Sequence, residues 1–283
     1  MSDAVFSLRE VSYAYQGLPA LEALSLRIPR GQRIALLGAN GSGKSTLLRL
    51  LDGLEFPQHG ELHAFDEVLN EAAFADDAFN YAFRQRVGFV FQNPDVQLFN
   101  PTVFDEVAFG PLQMGWPKEK ILAAVDAMLD HFALRALKSR APHRLSGGEK
   151  KRVALASVLI LAPEVLLLDE PTAALDPESQ GEVIRFLIEA RGRGQTIVTT
   201  THDLDIVEDI ADYAFVLADG RLVAEGTPAE ILADQDLLIR THLAHRHWHV
   251  HDDGTVHSHL HAHRHAHEHP ADSAHKYRPI KPR

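Results

Sequence analysis

Eight residues, Gly38-Ala39-Asn40-Gly41-Ser42-Gly43-Lys44-Ser45, carry the most specific chemistry in this chain. Glycines at that spacing let the backbone curl until successive N–H groups face a common centre. An apolar strand, Ile34-Ala35-Leu36-Leu37, leads in and a leucine-rich helix follows, so the loop opens onto a helix N-terminus whose dipole favours an anion. This is the P-loop pattern in the context it requires, and its ligand is a nucleoside triphosphate. Gly38, Asn40, Gly41, Ser42, Gly43 and Thr46 are the expected cradle. Lys44 is expected on the β- and γ-phosphates and the Ser45 hydroxyl on Mg²⁺.

Three further apolar strands end in polar residues suited to the same ligand. Val87-Gly88-Phe89-Val90-Phe91 ends at Gln92, Val165-Leu166-Leu167-Leu168 at Asp169-Glu170, and Ile197-Val198-Thr199-Thr200-Thr201 at His202. In an open parallel sheet, ligands bind beyond the carboxyl ends of the strands, so these ends can converge on one nucleotide. Asp169 then holds Mg²⁺, directly or through water. Glu170, adjacent and not needed for the metal, is the expected base or water-orienting group. Gln92 can touch both Mg²⁺ and the attacking water, and His202 can bond the γ-phosphate.

The elements that must position these groups divide the chain. The first 30 residues alternate, as in Leu24-x-Leu26-x-Ile28, and read as short antiparallel strands half buried on one face. Residues 33–226 interleave apolar strands with helical patterns, the signal of a mostly parallel sheet wrapped by helices. Within them, residues about 93–155 lack strand signals and read as a helical subdomain. Phe215-Val216-Leu217 and Leu222-Val223-Ala224 flank Asp219-Gly220, a hairpin pattern. Thr227-Pro228-Ala229-Glu230 is a capping box opening a last helix that fades near Thr241.

Composition narrows the partners. The net charge is -11, yet residues 242–283 hold six Lys/Arg against four Asp/Glu, which leaves the body the more acidic part. Such a body has no electrostatic reason to bind nucleic acid. The longest apolar run, Val153 to Ala162, is interrupted by Ser157 and stopped by Pro163, well short of a membrane span. Met1-Ser2-Asp3 carries acid where a secretory signal carries base, and there is no cysteine, so a cytoplasmic location is expected.

A second anion site separates this chain from other P-loop enzymes. Leu145-Ser146-Gly147-Gly148-Glu149-Lys150-Lys151-Arg152-Val153 puts a Ser-Gly-Gly turn at the start of a helix, with free N–H groups, a hydroxyl and a dipole. This segment resembles the signature motif of the ABC ATPases, with Glu149 in place of the commoner Gln. Thr172-Ala173-Ala174-Leu175-Asp176 resembles their D-loop, with Ala173 for a common Ser. Tyr15 is similar to the aromatic that stacks on adenine, with Tyr13 as its rival. The resemblance covers residues about 5–230 and implies an ABC cassette: a RecA-like parallel-sheet α/β core, an N-terminal antiparallel β subdomain and a helical subdomain. It also implies that two cassettes pack head to tail, homodimer or heterodimer. Ser146, Gly147, Gly148 and Asp176 would then close on the partner's ATP.

A narrower resemblance lies in Val90-Phe91-Gln92-Asn93-Pro94-Asp95-Val96-Gln97-Leu98-Phe99 and Thr102-Val103-Phe104-Asp105-Glu106-Val107-Ala108-Phe109-Gly110-Pro111. These are similar to the ATPases of energy-coupling-factor importers for transition metals and vitamins. The implied partners are a transmembrane energy-coupling subunit, gripped through this region, and a substrate-binding membrane subunit. The ATPase would sit peripherally on the cytoplasmic face of the cell membrane. The alternatives are the ATPase of a vitamin or zinc importer with a metal-buffering tail, and a soluble ABC ATPase outside transport.

The tail supplies the cargo expectation. Residues 1–241 read as the ATP-binding domain and 242–283 as a His-rich tail, expected to bind metal and to be disordered without it. Thirteen of the 18 histidines lie at or after His242. His245, His247, His249 and His251 alternate, and so do His257, His259, His261, His263, His265, His267 and His269, so each run makes one row in an extended chain. Neutral imidazole is the common ligand for Ni²⁺, Co²⁺ and Zn²⁺. Asp252-Asp253-Gly254 suits a three-residue hairpin loop, which would pair His249 with His257 and His247 with His259. The reading is therefore the ATPase of a cobalt or nickel importer.

Overall fold

The computed structural model describes residues 3–192, 194–250 and 256–261. Strands β1 (Ala4–Tyr15) and β2 (Leu18–Pro29) pair antiparallel, and β4 (His59–Ala64) and β5 (Glu67–Val68) extend that sheet in the order β2-β1-β4-β5. The sequence reading expected short strands here; β1 and β2 are 12 residues each. It also missed β4 and β5, whose mostly exposed residues carry little apolar alternation.

The second sheet runs β10-β9-β3-β8-β7-β6. Strands β3 (Arg33–Leu37), β6 (Val87–Val90), β7 (Val165–Leu168), β8 (Thr196–Thr201) and β9 (Tyr213–Ala218) are mutually parallel, and β10 (Arg221–Gly226) folds back on β9. Every residue of β3, β7 and β8 is buried, because both faces are covered. Alternation splits β3 between two cores: Ile34 and Leu36 pack toward the antiparallel sheet, Ala35 and Leu37 toward the helices. The expected hairpin is present, with positive φ at both Asp219 (48°) and Gly220 (73°), as a two-residue turn requires.

The helices are α1 (Lys44–Leu51), α2 (Glu71–Phe74), α3 (Asp77–Arg86), α4 (Val103–Gln113), α5 (Lys118–His131), α6 (Gly147–Leu159), α7 (Pro177–Glu189), α8 (Val207–Ile210), α9 (Pro228–Ala233) and α10 (Gln235–Arg240). No strand interrupts the stretch from α4 to α6. Thr227 and Glu230 form the expected capping box on α9. The single last helix is corrected to two: Asp234 accepts from Leu237 N–H at 2.8 Å and starts α10 anew.

Leu243 and Ala244, both buried, lead directly into β11 (His245–Val250), which pairs antiparallel with β12 (Val256–His261). The register joins His245 to His261, His247 to His259 and His249 to His257, the pairing a three-residue loop implies. His251, residues 252–255, and His263, His265, His267 and His269 lie outside the described residues.

Candidate active site

Beyond β3 the chain turns through glycines at Gly38, Gly41 and Gly43, with φ of 153°, 84° and 101°. A Cβ on Gly38 would stand 2.4 Å from both the Leu217 carbonyl oxygen and Ser42 Oγ, so only glycine fits. The Asp219-Gly220 turn braces the loop: Gly220 N–H donates to the Ser42 carbonyl at 3.2 Å, and the Gly220 carbonyl accepts from Glu22 N–H at 2.9 Å. Lys44 is buried, and its Nζ donates to the Gly38 and Ala39 carbonyls at 2.8 and 3.0 Å. Burial lowers its pKa from the ordinary lysine value, with Glu170 and Asp169 opposing. Ser42 Oγ is buried with no hydrogen-bond partner. An orphaned hydroxyl in this glycine turn fits a phosphate oxygen. Asn40 is exposed beside it, and Thr46 is buried in the first turn of α1.

The remaining strand ends meet here. Ser45 Oγ donates to Asp169 Oδ1 at 3.0 Å, which puts two hard oxygen donors side by side and suits Mg²⁺. Glu170 Oε2 accepts from Gln92 Nε2 at 3.5 Å, and its Oε1 lies 3.2 Å from His202 Nδ1. Asp169 and Glu170 are buried while Gln92 and His202 are exposed, so the carboxylates form the floor and the other two the rim. Glu170 has a φ of 41°, a left-handed conformation that costs about 1–3 kcal/mol and is held by its surroundings.

Part of what holds it is a residue the sequence reading did not single out. Thr200, fully buried in β8, donates to Asp169 Oδ1 at 2.8 Å and accepts from Glu170 N–H at 2.8 Å. The available signal was three consecutive hydroxyls in a strand apolar enough to be central. Lys151 has no sequence signal beyond its place in the signature segment. It is 1% exposed and its Nζ donates to the carbonyls of Phe91 and Gln92 at 3.0 and 2.9 Å. Burial pushes its pKa down to about 8, Asp169 opposing.

The Ser146-Gly147-Gly148 turn forms its own group. Ser146 Oγ accepts from Glu149 N–H at 3.3 Å and Glu149 Oε2 accepts from Ser146 N–H at 2.7 Å. Glu149, the departure from the commoner glutamine, thus completes a capping box, and the Ser146 backbone N–H holds its pKa below the usual carboxylate range. Gly147 faces open space, whereas a Cβ on Gly148 would sit 2.0 Å from Ser179 Oγ. Asp176 caps α7, accepting from Ser179 N–H at 3.1 Å and from the Ser179 hydroxyl at 2.7 Å. Among the described residues, none of these four bonds to the P-loop cluster. Tyr15 and Tyr13 are both half-buried, edge to face at 4.9 Å. The Tyr13 hydroxyl is committed to Glu55 Oε2 at 2.5 Å, and burial with that bond pushes its pKa up to about 12. Among the described residues no group of three or more His, Asp or Glu is arranged to hold a metal, and no helix is long and apolar enough to cross a membrane.

The fold and this cluster define a P-loop ATPase with a Ser-Gly-Gly turn opening a separate helix. The ABC transporter family profile matches residues 21–173, and the chain belongs to that family as an ATP- and Mg²⁺-binding ATPase. It is 60% identical over 241 residues to the nickel import ATP-binding protein NikO of Rhodobacter capsulatus, covering 84% of this chain and 95% of that protein. It is 44% identical over 240 residues to the energy-coupling factor transporter ATP-binding protein EcfA of Methanothermobacter thermautotrophicus, covering 84% of this chain and 76% of the relative. Among solved structures it resembles cbiO1 of Clostridium perfringens, part of the ABC transporter complex cbiONQ. That match has a TM-score of 0.72 and 37% identity, over 86% of this chain and 96% of that one. A dimeric ATP-binding cassette in a post-hydrolysis state with ADP and phosphate matches with a TM-score of 0.70 and 28% identity, over 79% of this chain and 98% of that one.

Proposed function

We propose that this chain is the ATP-hydrolysing subunit of an energy-coupling-factor importer for nickel or cobalt. It would work as one of two head-to-tail cassettes bound peripherally to the cytoplasmic face of the membrane. The observation that carries the reading is the surface that follows Gln92. Val96, Phe99, Phe109 and Leu112 are exposed large apolar side chains, and Phe99 and Phe109 stack edge to face at 5.0 Å. The buried Glu106 carboxylate fixes that loop by accepting from Phe99 and Asn100 N–H at 2.9 and 2.8 Å. An ordered apolar patch joined to a residue that would touch Mg²⁺ and the attacking water suits a membrane partner driven by ATP.

Gly38, Asn40, Gly41, Ser42, Gly43, Lys44 and Thr46 would hold the phosphates, and Tyr15 the adenine. Ser45, Asp169 and Gln92 would hold Mg²⁺, which supplies charge neutralisation between the phosphates. Glu170 takes the proton of the attacking water as the water oxygen bonds the γ-phosphorus and the bond to the ADP oxygen breaks. Gln92 and His202 orient that carboxylate and the γ-phosphate. Ser146, Gly147, Gly148 and Asp176 would serve the nucleotide of the partner cassette.

Residues 1–241 are the motor, and the tail from 242 is a transition-metal ligand. Its support is the backbone register of β11 and β12, in which His245, His247 and His249 pair with His261, His259 and His257. Deleting residues 245–283, which leaves the buried Leu243 and Ala244 in place, should leave ATP turnover nearly intact while nickel or zinc binding, measured by equilibrium dialysis, is lost. Loss of folding instead would make the tail structural. The whole reading is tested by purifying the complex from membranes, reconstituting it in vesicles and measuring ATP-dependent uptake of radioactive nickel and cobalt. Uptake of a vitamin and neither metal would move the protein to a different importer.

A further inference from the structure

We propose that Lys151 is a positioning residue that ties the signature helix α6 to the Gln92 loop within one chain. Engagement of Ser146–Gly148 with a nucleotide and placement of Gln92 then become one movement. The proposal rests on reading Ser146–Gly148 as the cradle for the partner's ATP.

Lys151 is 1% exposed, and among the described residues it makes no ion pair, whereas its neighbours do: Lys150 with Asp95 and Arg152 with Glu182. Burying an ammonium with no salt-bridge partner, only the more distant charge of Asp169, is costly, and a methionine of similar length would fill the space at less cost. The lysine head is needed by the two carbonyls it meets. Asp169 N–H bonds the Val90 carbonyl at 3.0 Å where β6 ends. The next two carbonyls, Phe91 and Gln92, have left the sheet, and Lys151 Nζ satisfies both.

Position makes this a coupling. Lys151 lies four residues after Gly147, about 6 Å along a rigid helix from the cradle. A shift of the α6 N-terminus is therefore carried to the Gln92 main chain, and from there to the Gln92 side chain beside Glu170. Other ties hold the neighbouring backbone without touching Gln92. Gln97 Oε1 accepts from Phe91 N–H at 3.2 Å while its Nε2 donates to the Ala154 carbonyl at 2.9 Å. Removing Lys151 thus loosens Gln92 while those bonds still hold the loop to α6.

The test uses the full chain with Lys151→Met, Lys151→Gln and Lys151→Arg, alone and in a Glu170→Gln background. We expect Lys151→Met to bind ATP with unchanged affinity and to lose about 10- to 100-fold in kcat with KM little altered, as a misplacement of about 1 Å costs. Lys151→Gln, which keeps an N–H donor group but no charge, should fall between, and Lys151→Arg should restore most of kcat. In the Glu170→Gln background, ATP-dependent pairing seen by size-exclusion chromatography should persist with Lys151→Met. Wild-type kcat in Lys151→Met and Lys151→Gln overturns the proposal. So does loss of ATP binding and pairing along with turnover, or a failure of arginine to rescue. If Lys151→Met does not fold, the glutamine and arginine variants decide by the same criteria. Absence of pairing in Glu170→Gln alone refutes the paired-cassette reading and leaves the kcat series to judge Lys151.

Discussion

Replacing Thr200 by valine keeps the β-branched shape and removes one oxygen. That oxygen donates to Asp169 Oδ1 and accepts from Glu170 N–H, both at 2.8 Å, in a side chain with no solvent exposure. A hydrogen bond to a charged group contributes about 1.5–3 kcal/mol, and a buried N–H left unpaired costs about 1–3 kcal/mol. Asp169 Oδ1 keeps its bond from Ser45, so the lower half of the summed range applies, about 3 kcal/mol. For a domain of this size that lowers Tm by roughly 6–12 °C. Turnover should fall further than stability alone explains. Glu170 sits in a left-handed conformation that this bond helps to hold, and a displacement of about 1 Å costs roughly 100-fold in kcat. Thr200→Ser retains the hydroxyl and should keep most of both. The assays are thermal unfolding and steady-state phosphate release. Thr200→Val with wild-type Tm and kcat would show that the hydroxyl holds neither carboxylate.

Glu170→Gln should bind ATP yet accumulate as a closed pair, with turnover down at least about 100-fold by phosphate release; normal turnover refutes the base assignment. Asp52, buried at the end of α1 with Arg84 at 2.9 Å, has its pKa pushed by burial from 3.8 up to about 7, Arg84 opposing. Folding thus favours its protonated form. Its contribution to stability is full below the ordinary aspartate value and is lost as pH rises through about 7. Asp52→Asn should flatten that part of the curve of Tm against pH, and an unchanged slope would assign the dependence elsewhere.

Much of this arrangement was legible because its residues act through local backbone geometry. The P-loop, the capping box at Thr227 and the Asp219-Gly220 turn each depend on a few consecutive residues, and each is found in place. Strand ends were readable too, since a buried parallel strand is a bounded apolar run whose next polar residue must emerge at the sheet edge. Strands β4 and β5 were not, because most of their residues are exposed and carry little apolar alternation. Nor was the break at Asp234, where an apolar pattern continues across a helix boundary set by one side-chain cap.

Local sequence was enough to reveal the P-loop, the carboxylate pair at the end of a buried strand and the Ser-Gly-Gly turn that opens another helix. How these parts are linked emerges only from the packed fold. Thr200 and Lys151 lie 30 and 60 residues from partners they meet through the sheet and the signature helix. Such contacts leave no periodicity, because a buried hydroxyl or ammonium is chosen by the polar atoms that face it. Those atoms become neighbours only when distant strands are hydrogen-bonded side by side.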